Sequence, residues 1–376
     1  MPQPVLGIMT LYLNDRKHIE ERAIFQRMIA SGKELGLACF VFTPEDVDAS
    51  RKLIKAQFYD PNSGRWTRKW TQFPTMIFDR CRYQPNKRFK QLQRFRRNYP
   101  KLLYLNRPIA NKWMMHQLFT ENPRIKPHLP ETRLCMKVSD VTDFLKRYNL
   151  VYLKPKNGTG GRGILRIEKV TAGQYLIQGR DHSRRIIKPQ RVTPGQIAMR
   201  LGSWGLAGNY LIQQGIQLKL QDGRVHDYRL LIQKNRQGQW EVTGCAGRIG
   251  AYRSITSNLH GGGRAVKMNE LLKQWFDSDD QIESVKKTAD QLALETASFV
   301  EEKYGRLCEL ALDIAIDKSG HVWMLEINPK PAREVFRRIG EQDTYTKAIS
   351  RPLEYALWLY KQRKPAGTSG SNSKRK

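Results

Sequence analysis

The segment ELALDIAIDKSGHVWMLEINPKPAR, from Glu309 to Arg333, is the starting point for predicting the fold. On both sides of Lys318–His321, apolar residues alternate with polar or small residues at a period of two. This period, together with the β-branched and aromatic residues in both halves, predicts two short strands. The segment Lys318–His321 has turn chemistry, so the two strands are expected to form a hairpin.

The register of this hairpin decides which polar side chains meet. If Ser319-Gly320 is a two-residue turn, Asp313 lies opposite Glu326, and Asn328 shares the face of Glu326. A three-residue loop would place Asp313 on the wrong face. Two carboxylates and an amide oxygen on one patch are hard ligands that suit Mg²⁺, which takes one or two carboxylates plus substrate phosphates. The alternative is a surface hairpin whose acids are solvated.

The charge of the chain is unusual. It has 66 Lys and Arg residues against 35 Asp and Glu residues, a net charge of +31. Such a protein attracts polyanions, among them nucleic acid, acidic polymers and nucleotide phosphates. The alternative is that most of the surplus charge only confers solubility.

The length and composition limit the class of protein. A chain of 376 residues is too long for one ordinary core and predicts two or three domains. No apolar run is long enough to span a bilayer, and no signal peptide is apparent, so we expect a cytoplasmic protein. The five cysteines are scattered without a CxxC pair and the seven histidines are dispersed, which favours free thiols and no zinc site.

The first part of the chain reads as a small α/β domain. Val5–Tyr12 predicts a strand, His18–Leu35 a helix and Ala38–Phe42 a second strand, which together suggest a parallel βαβ unit. A hairpin follows, with its turn at Pro61–Gly64. The helix predicted at Asn86–Arg97 is very basic, and it is either a solvated face or a polyanion contact.

A glycine-rich loop between two predicted strands is the second main motif. It lies in Tyr152–Leu165, where Lys154 ends the first strand and Lys156 follows. Glycine lets backbone N–H groups approach phosphate oxygens, and a lysine above them supplies a point charge. The loop glycines are Gly158, Gly160, Gly161 and Gly163. The alternative is the tip of a flexible basic hairpin.

Several familiar glycine motifs do not fit this loop. A P-loop and a dinucleotide-binding fingerprint both need a helix after the glycines, and here a strand follows. A protein-kinase loop would need HRD and DFG triplets, which the chain lacks.

Other polar positions stand near the ends of predicted elements. Asn111 is placed to cap a helix and to set Lys112 at its N-terminus. Arg229 and Arg248 lie on predicted strands, where arginines are usually surface residues but bind phosphate when they converge. Two polar segments are candidate flaps, Gly179–Pro194 and the glycine-rich Ser257–Gly263.

The predicted elements give an α/β (α+β) protein. We expect an N-terminal domain over residues 1–105 and a larger domain over residues 106–363, closing with a helix at Pro352–Arg363. Residues 364–376 are Gly/Ser-rich and basic, which predicts a disordered tail.

Taken together, the motifs resemble the ATP-grasp superfamily over roughly Arg107 to Arg338. They follow one another in this order: Lys112, Lys154 with its glycine loop, Gln213-Gln214, Asp227-Tyr228-Arg229, Arg248, Asn258, Asp313, Glu326 and Asn328. The intervals of thirteen residues from Asp313 to Glu326 and two from Glu326 to Asn328 look like the magnesium pattern of that family. The segment Phe78-Asp79-Arg80 and Asn111-Lys112-Trp113 look like the narrower YheC/YheD group of spore-coat-associated proteins from Bacillus relatives.

The resemblance implies an ATP-grasp fold, preceded by a small pre-ATP-grasp domain, with the nucleotide in the cleft between two lobes. It also implies sites for ATP and for one or two Mg²⁺ or Mn²⁺ ions. The implied ATP-binding residues are Lys112, Lys154, Lys156, Gly158, Gly160, Gly161, Gln213, Gln214 and Ile216, and the implied metal ligands are Asp313, Glu326 and Asn328. The family often has an acidic residue for the ribose near Gln213; this chain has glutamines there.

The activity that the resemblance implies is an ATP-dependent carboxylate–amine ligase that works through an acylphosphate. Its partners would be ATP, a carboxylate substrate and an amine acceptor such as an amino acid or peptide, with association to the spore coat. Arg229, Arg248 and Asn258 would be the catalytic residues. Two alternatives remain open: a non-catalytic coat protein that keeps this fold, and a protein that binds nucleic acid or another acidic polymer.

Overall fold

The computed structural model describes residues 3–84, 86–158, 161–183, 185–257 and 259–362, without the side chain of His260. The chain forms two compact units. One comprises Met1–Asn106, Lys234–Gln239 and Ile349–Lys376, and the other comprises Arg107–Gln233 and Trp240–Ala348. The predicted tail, residues 364–376, lies outside the described residues.

The first unit is built on one mixed sheet. The strands pair in the order β3-β4-β2-β1-β6-β7, and β5 pairs with β4. The strands are β1 (Val5–Met9), β2 (Ala38–Phe42), β3 (Val47–Asp48), β4 (Leu53–Asp60), β5 (Arg65–Gln72), β6 (Met76–Asp79) and β7 (Leu103–Tyr104). The helices are α1 (Arg22–Glu34) and α2 (Lys87–Asn98). The strands β1 and β2 are parallel, which confirms the predicted βαβ unit, and β4 and β5 form the predicted hairpin.

The helix α1 begins four residues later than predicted. Tyr12 and Ile19 form an isolated antiparallel bridge, which holds the residues between them in a tight loop. Glu21 then adopts a left-handed conformation with φ of 57°, so the helical dihedral angles start only at Arg22.

The second unit contains a six-stranded sheet with the order β12-β11-β10-β9-β13-β8. Its strands are β8 (Thr132–Cys135), β9 (Leu150–Pro155), β10 (Ile164–Thr171), β11 (Gln174–Arg180), β12 (Ile186–Val192) and β13 (Tyr210–Gln214). Three helices lie in the same stretch of the chain: α3 (Lys112–Thr120), α4 (Val138–Arg147) and α5 (Pro194–Leu201). A strand does follow the glycine-rich loop, as predicted.

A five-stranded sheet with the order β16-β15-β14-β17-β18 completes the second unit. Its strands are β14 (His226–Lys234), β15 (Trp240–Ile249), β16 (Arg264–Lys267), β17 (Glu309–Ile316) and β18 (Val322–Asn328). The remaining helices are α6 (Met268–Leu272), α7 (Asp279–Tyr304), α8 (Glu334–Arg338) and α9 (Gln342–Lys361). The helix α7 buries an apolar stripe against this sheet, so its predicted role in core packing is confirmed.

The candidate flap Gly179–Pro194 contains the end of β11 and all of β12 within the six-stranded sheet. One prediction is wrong at the level of elements. The last helix begins at Gln342, ten residues before Pro352. A proline inside a helix cannot donate to the carbonyl four residues earlier, here that of Ala348. That carbonyl accepts hydrogen bonds from Arg333 Nε at 2.6 Å and Gln233 Nε2 at 3.1 Å instead, which lets the helix continue.

The remaining structural predictions concern cysteines and membrane spans. All five cysteines are free, as expected. Among the described residues, no helix combines the length and apolar character needed to cross a bilayer.

Candidate active site

The hairpin β17–β18 pairs Asp313 with Glu326 as predicted, but the turn between its strands differs from the predicted one. Asp317 and His321 close a three-residue loop in which Gly320 has φ of 87°, so the predicted two-residue turn is wrong. Ile314 pairs with Met324, and the register then shifts by one residue so that Asp313 pairs with Glu326. The shift is a β-bulge at Leu325, and it restores the alignment that the longer loop would have removed. Asp313 and Glu326 therefore lie side by side.

Asp313 is buried and held by two arginines. Its carboxylate accepts hydrogen bonds from Arg229 Nε and Nη2, both at 2.8 Å, and its Oδ2 lies 3.2 Å from Arg248 Nη2. The Nδ2 of Asn328 lies 3.4 Å from the same oxygen. Burial by itself would raise the pKa of the Asp313 carboxyl, but the charges of the two arginines outweigh it and hold the pKa below its ordinary value. Asp313 is thus an anion at neutral pH.

Arg248 forms a second buried pair on the neighbouring strands. Its guanidinium donates two hydrogen bonds to Asp227, Nε to Oδ1 at 2.7 Å and Nη2 to Oδ2 at 2.6 Å. Burial would lower the pKa of Arg248, but Asp227 and Asp313 raise it above its ordinary value. The fork of Arg248 is therefore fixed between two carboxylates, with little freedom to rotate.

Glu326 is more accessible and contacts Lys112. The Nζ of Lys112 lies 3.2 Å from Glu326 Oε2, and the two side chains are 24% and 31% exposed. Lys112 is the first residue of α3, and Asn111 caps this helix by accepting hydrogen bonds from the backbone N–H groups of Trp113 and Met114 at 3.0 and 3.1 Å. The predicted cap is confirmed, and it fixes the point from which Lys112 reaches the hairpin.

Lys154 approaches the same cluster from the six-stranded sheet. Its Nζ donates to Gln213 Oε1 on the adjacent strand β13, and Gln213 Nε2 donates in turn to Thr132 Oγ1 at 3.0 Å. Burial and the nearby charge of Lys112 lower the pKa of Lys154 to about 8, against the opposing charges of Glu326, Asp227 and Asp313. Those interactions bring together side chains from both sheets and from α3.

The glycine-rich loop is braced where it joins β10. Gly163 has φ of 65°, and its backbone N–H donates to the carbonyl of Asp181 at 3.0 Å. A Cβ at this position would lie 2.8 Å from the Tyr210 hydroxyl and 2.9 Å from the ring of His182, and these two side chains are hydrogen-bonded to each other at 2.9 Å. Glycine is required here by both the dihedral angle and the close approach.

The other predicted ATP-binding residues of this loop precede Gly163 in the chain. Lys156 is anchored through its backbone N–H, which donates to the carbonyl of Asn209 at 2.8 Å. Gly158 has open space on most sides and Gly161 has φ of 74°. Gly160 lies outside the described residues, as does Asn258 in the second glycine-rich loop.

Gln213 and Gln214 lie on opposite faces of β13. Gln213 faces Lys154, whereas the side chain of Gln214 accepts a hydrogen bond from the backbone N–H of Glu131 at 3.1 Å. Ile216 is buried just beyond the strand. Gln213 and Gln214 are therefore not brought together, because neighbouring strand residues face opposite sides.

A cavity of about 450 Å³ lies beside the residues that follow this strand. It is lined by Gln217 and Lys219 on one side and by the hairpin loop at Asp317, Lys318 and Ser319 on the other. It lies at the turn end of the hairpin, and neither Asp313 nor Glu326 lines it.

The charges in this cluster bear on what it can bind. Four cations face three anions: Lys112, Lys154, Arg229 and Arg248 against Asp227, Asp313 and Glu326. Among the described residues, no group of three or more His, Cys, Asp or Glu side chains is arranged so that it could hold a metal ion by itself. Two carboxylates and an amide do fit Mg²⁺ shared with phosphate oxygens. The cations that now hold the acids would then have phosphate oxygens as partners.

Asp227 belongs to this cluster, although the sequence pattern predicts no role for it beyond its place in the motif order. The signal that could have identified it is the spacing Asp227-x-Arg229, which puts both side chains on one face of β14. Its partner Arg248 is distant in sequence, so only the pairing of strands reveals the contact.

Comparisons with known proteins identify the family. A model of the family described as YheC/D-like ATP-grasp matches residues 101–359. The endospore coat-associated protein YheD of Bacillus subtilis (strain 168) is 28% identical over 369 residues, with 95% of this chain and 79% of that protein covered.

Among the similar solved structures, two are matched over more than nine-tenths of this chain. The D-cycloserine synthetase DcsG is 12% identical with a TM-score of 0.54, over 95% of this chain and 99% of that one. The ATP-grasp ligase PsnB, complexed with minimal precursor, Mg and ADP, is 12% identical with a TM-score of 0.51, over 93% and 98% of the two chains. At these identities the likeness shows the fold, which is the ATP-grasp fold.

Proposed function

Because the chain belongs to the YheC/D-like ATP-grasp family, we propose that it is an ATP-dependent ligase that joins a carboxylate to an amine. The intermediate would be an acylphosphate. The amine would come from an amino acid or a peptide. The observation that carries the proposal is the convergence of Lys112, Lys154, Asp313 and Glu326 from separate elements on one cluster. Since solved ligases share the fold, that cluster is the natural place for the nucleotide tail.

In this proposal the lysines hold the nucleotide. Lys112 and Lys154 neutralise the α- and β-phosphates, and the backbone around Gly158 and Gly161 approaches their oxygens. The adenine occupies the region of Gln213 and Ile216. Gln214 is a weaker candidate for an adenine contact than the sequence suggests, because its side chain is tied to the backbone of Glu131.

Asp313, Glu326 and Asn328 would hold one or two Mg²⁺ ions, with Mn²⁺ as a substitute. The metal would supply charge neutralisation at the β- and γ-phosphates. Asn328 must present its amide oxygen for this role, and the present contact of its Nδ2 with Asp313 is broken by a rotation of the amide. Complexes of PsnB with Mg and ADP show that one ligase of this fold uses both.

Arg229 and Arg248 would stabilise the transferring phosphoryl group. A carboxylate is a poor electrophile because its leaving group would be oxide, whereas an acylphosphate loses phosphate when the amine attacks. Phosphoryl transfer depends on positioning and on neutralising charge, which matches a site built from cations and glycines. Arg248 is pre-oriented by Asp227, so it needs no reorganisation as charge develops.

The loop containing Asn258 connects β15 to β16 directly after Arg248. As the resemblance implies, Asn258 would be a catalytic residue. Its loop and the segment Gly179–Pro194 would be the candidate flaps that exclude water. Association with the spore coat is a further part of the proposal, supported by the printed name of YheD.

A screen of ADP release tests the proposal. Purified protein with Mg-ATP is incubated with pairs of amino acids and short peptides, and any pair that stimulates ADP release is followed by mass measurement of the product. The ligase proposal expects a product with the mass of the two substrates less one water. ATP binding without stimulation by any pair would favour a coat protein that keeps the fold without turnover.

A further inference from the structure

The surface of the hairpin β4–β5 in the first unit combines tryptophans with cations. Trp66 and Trp70 lie four residues apart on β5, so they share one face at a separation of about 14 Å. Trp70 is 44% exposed, which is unusual for a ring of this size, and Trp66 is half-buried. We call this surface, with the cations described next, the tryptophan face.

Cations stack on both rings. The guanidinium of Arg51 lies 4.8 Å from the centre of the Trp70 ring and Lys55 Nζ lies 5.8 Å from it. Arg22, from α1, lies 5.2 Å from the centre of the Trp66 ring. None of these three cations forms an ion pair with a residue that the structure describes. Their charge is therefore available to a ligand.

The other basic segment of this unit is organised differently. In α2, Arg88 pairs with Asp15 and Glu45, and Arg96 pairs with Asp79. These arginines stabilise the unit itself. The helix α2, for which a polyanion contact is one of two predicted roles, therefore uses part of its charge in ion pairs within the unit, whereas the hairpin keeps its cations beside aromatic rings.

We propose that the tryptophan face binds single-stranded nucleic acid. An exposed ring accepts the face of a base by stacking, and adjacent cations neutralise the phosphates on either side, which is the combination used by proteins that bind single strands. A ring-free acidic polymer would use the cations but would make no stacking contact with Trp70, which is 44% exposed. The net charge of +31, which the nucleotide site does not explain, adds long-range attraction. This inference is independent of the proposed ligase activity.

The test is fluorescence anisotropy of a labelled sixteen-nucleotide oligo-dT with the full chain at physiological salt. Trp70→Ala is expected to raise Kd roughly 5- to 150-fold, the loss of one stacked base. It should leave the salt dependence unchanged, because no charge is removed. Arg51→Ala should instead reduce the slope of log K against log salt by about 0.7, the loss of one phosphate contact on a single strand.

The matched control is Tyr252→Ala in the second unit. Tyr252 is also an exposed ring, 72% accessible, with Arg253 5.3 Å from its centre. Its removal is expected to leave Kd unchanged. Trp70→Phe keeps a ring and should retain most of the affinity, which separates stacking from a folding defect.

Poly-aspartate distinguishes a ring-free polyanion from nucleic acid. It should compete only through charge, with an affinity that Trp70→Ala does not change. The proposal is overturned if oligo-dT fails to bind at physiological salt, if Trp70→Ala binds it as tightly as the native chain, or if the substitution weakens poly-aspartate equally.

Discussion

Asp313 lies directly opposite Glu326 in the β17–β18 hairpin, although the loop that joins the strands has three residues rather than two. A bulge at Leu325 absorbs the extra residue. Bulges re-aim side chains next to functional sites, and here the effect is to set two carboxylates and Asn328 on one face. The arginines on the adjoining strands and the two lysines are arranged around that pair.

Removing the charge of Glu326 tests the proposal that its carboxylate binds the metal ion. Glu326→Gln is nearly isosteric but is a far poorer metal ligand, and ATP consumption should fall more than about 100-fold, since even residues that only orient a ligand contribute 10- to 100-fold. Steady-state ADP release measures this. The control is Glu302→Gln, at an exposed residue of α7, which should keep full activity. Equal rates for the two variants would remove Glu326 from the site.

The depressed pKa of Lys154 predicts a pH dependence of nucleotide binding. With a pKa of about 8, Lys154 loses its proton as pH rises through 8, so affinity for ATP should fall between pH 7 and pH 9. A bound phosphate favours the charged form, so binding near pH 8 to 9 should take up a proton. Calorimetry in two buffers of different ionisation enthalpy measures both effects.

Lys154→Arg is the control for that experiment, because a guanidinium stays charged across this range. The arginine variant should lose the pH dependence even if it binds ATP less tightly. The same decline in both proteins would show that another group is responsible.

The buried pair of Arg248 and Asp227 predicts a stability effect. Asp227→Asn leaves Arg248 with only Asp313 as an anionic partner. The free energy of unfolding of the second unit should fall by about 3 kcal/mol, the lower end of the cost of breaking a buried ion pair. Urea denaturation measures the change. Asp222→Asn breaks an exposed pair with Arg224 and should shift the transition little. If both variants unfold at the same urea concentration, the buried pair does not stabilise the unit.

Alanine variants at Gly163 and Gly173 distinguish the effect of backbone strain from the effect of a steric collision. Both have positive φ, 65° and 74°, but a Cβ meets Tyr210 and His182 only at Gly163 and open space at Gly173. Each alanine variant should lose about 1 kcal/mol of stability from strain. Gly163→Ala alone should also weaken ATP binding, by roughly tenfold, because the loop must shift to relieve the collision. Equal ATP affinities in the two variants would contradict the bracing role of the Tyr210–His182 contact.

Much of the fold could be predicted from hydrophobic periodicity and from the capping and turn residues that begin or end each element. The strands of the parallel βαβ unit, the β4–β5 hairpin and the cap at Asn111 all follow from local pattern, because each depends on residues close in sequence. The family could be predicted from the order of the motifs. The later start of α1 could not be predicted from the sequence, because the bridge between Tyr12 and Ile19 is a tertiary constraint.

The site was less predictable, since it depends on pairing between distant strands. The three-residue loop and the compensating bulge at Leu325 are two departures that cancel, and no local pattern signals the second. The contact of Arg248 with Asp227 joins residues 21 apart, and that of Arg229 with Asp313 joins residues 84 apart. Composition showed the surplus of positive charge. It could not show that Arg88 and Arg96 form ion pairs within the first unit, whereas the cations beside Trp66 and Trp70 form none with the described residues.

Calorimetric titration of the protein with ATP, with and without Mg²⁺, tests the central claim most directly. We predict saturable binding that is tighter with Mg²⁺ in the native chain, loss of most affinity in Lys154→Ala, and loss of the Mg²⁺ enhancement in Glu326→Gln. Unchanged ATP binding in Lys154→Ala, together with an unchanged Mg²⁺ effect in Glu326→Gln, would contradict the claim that these residues hold the nucleotide and its metal.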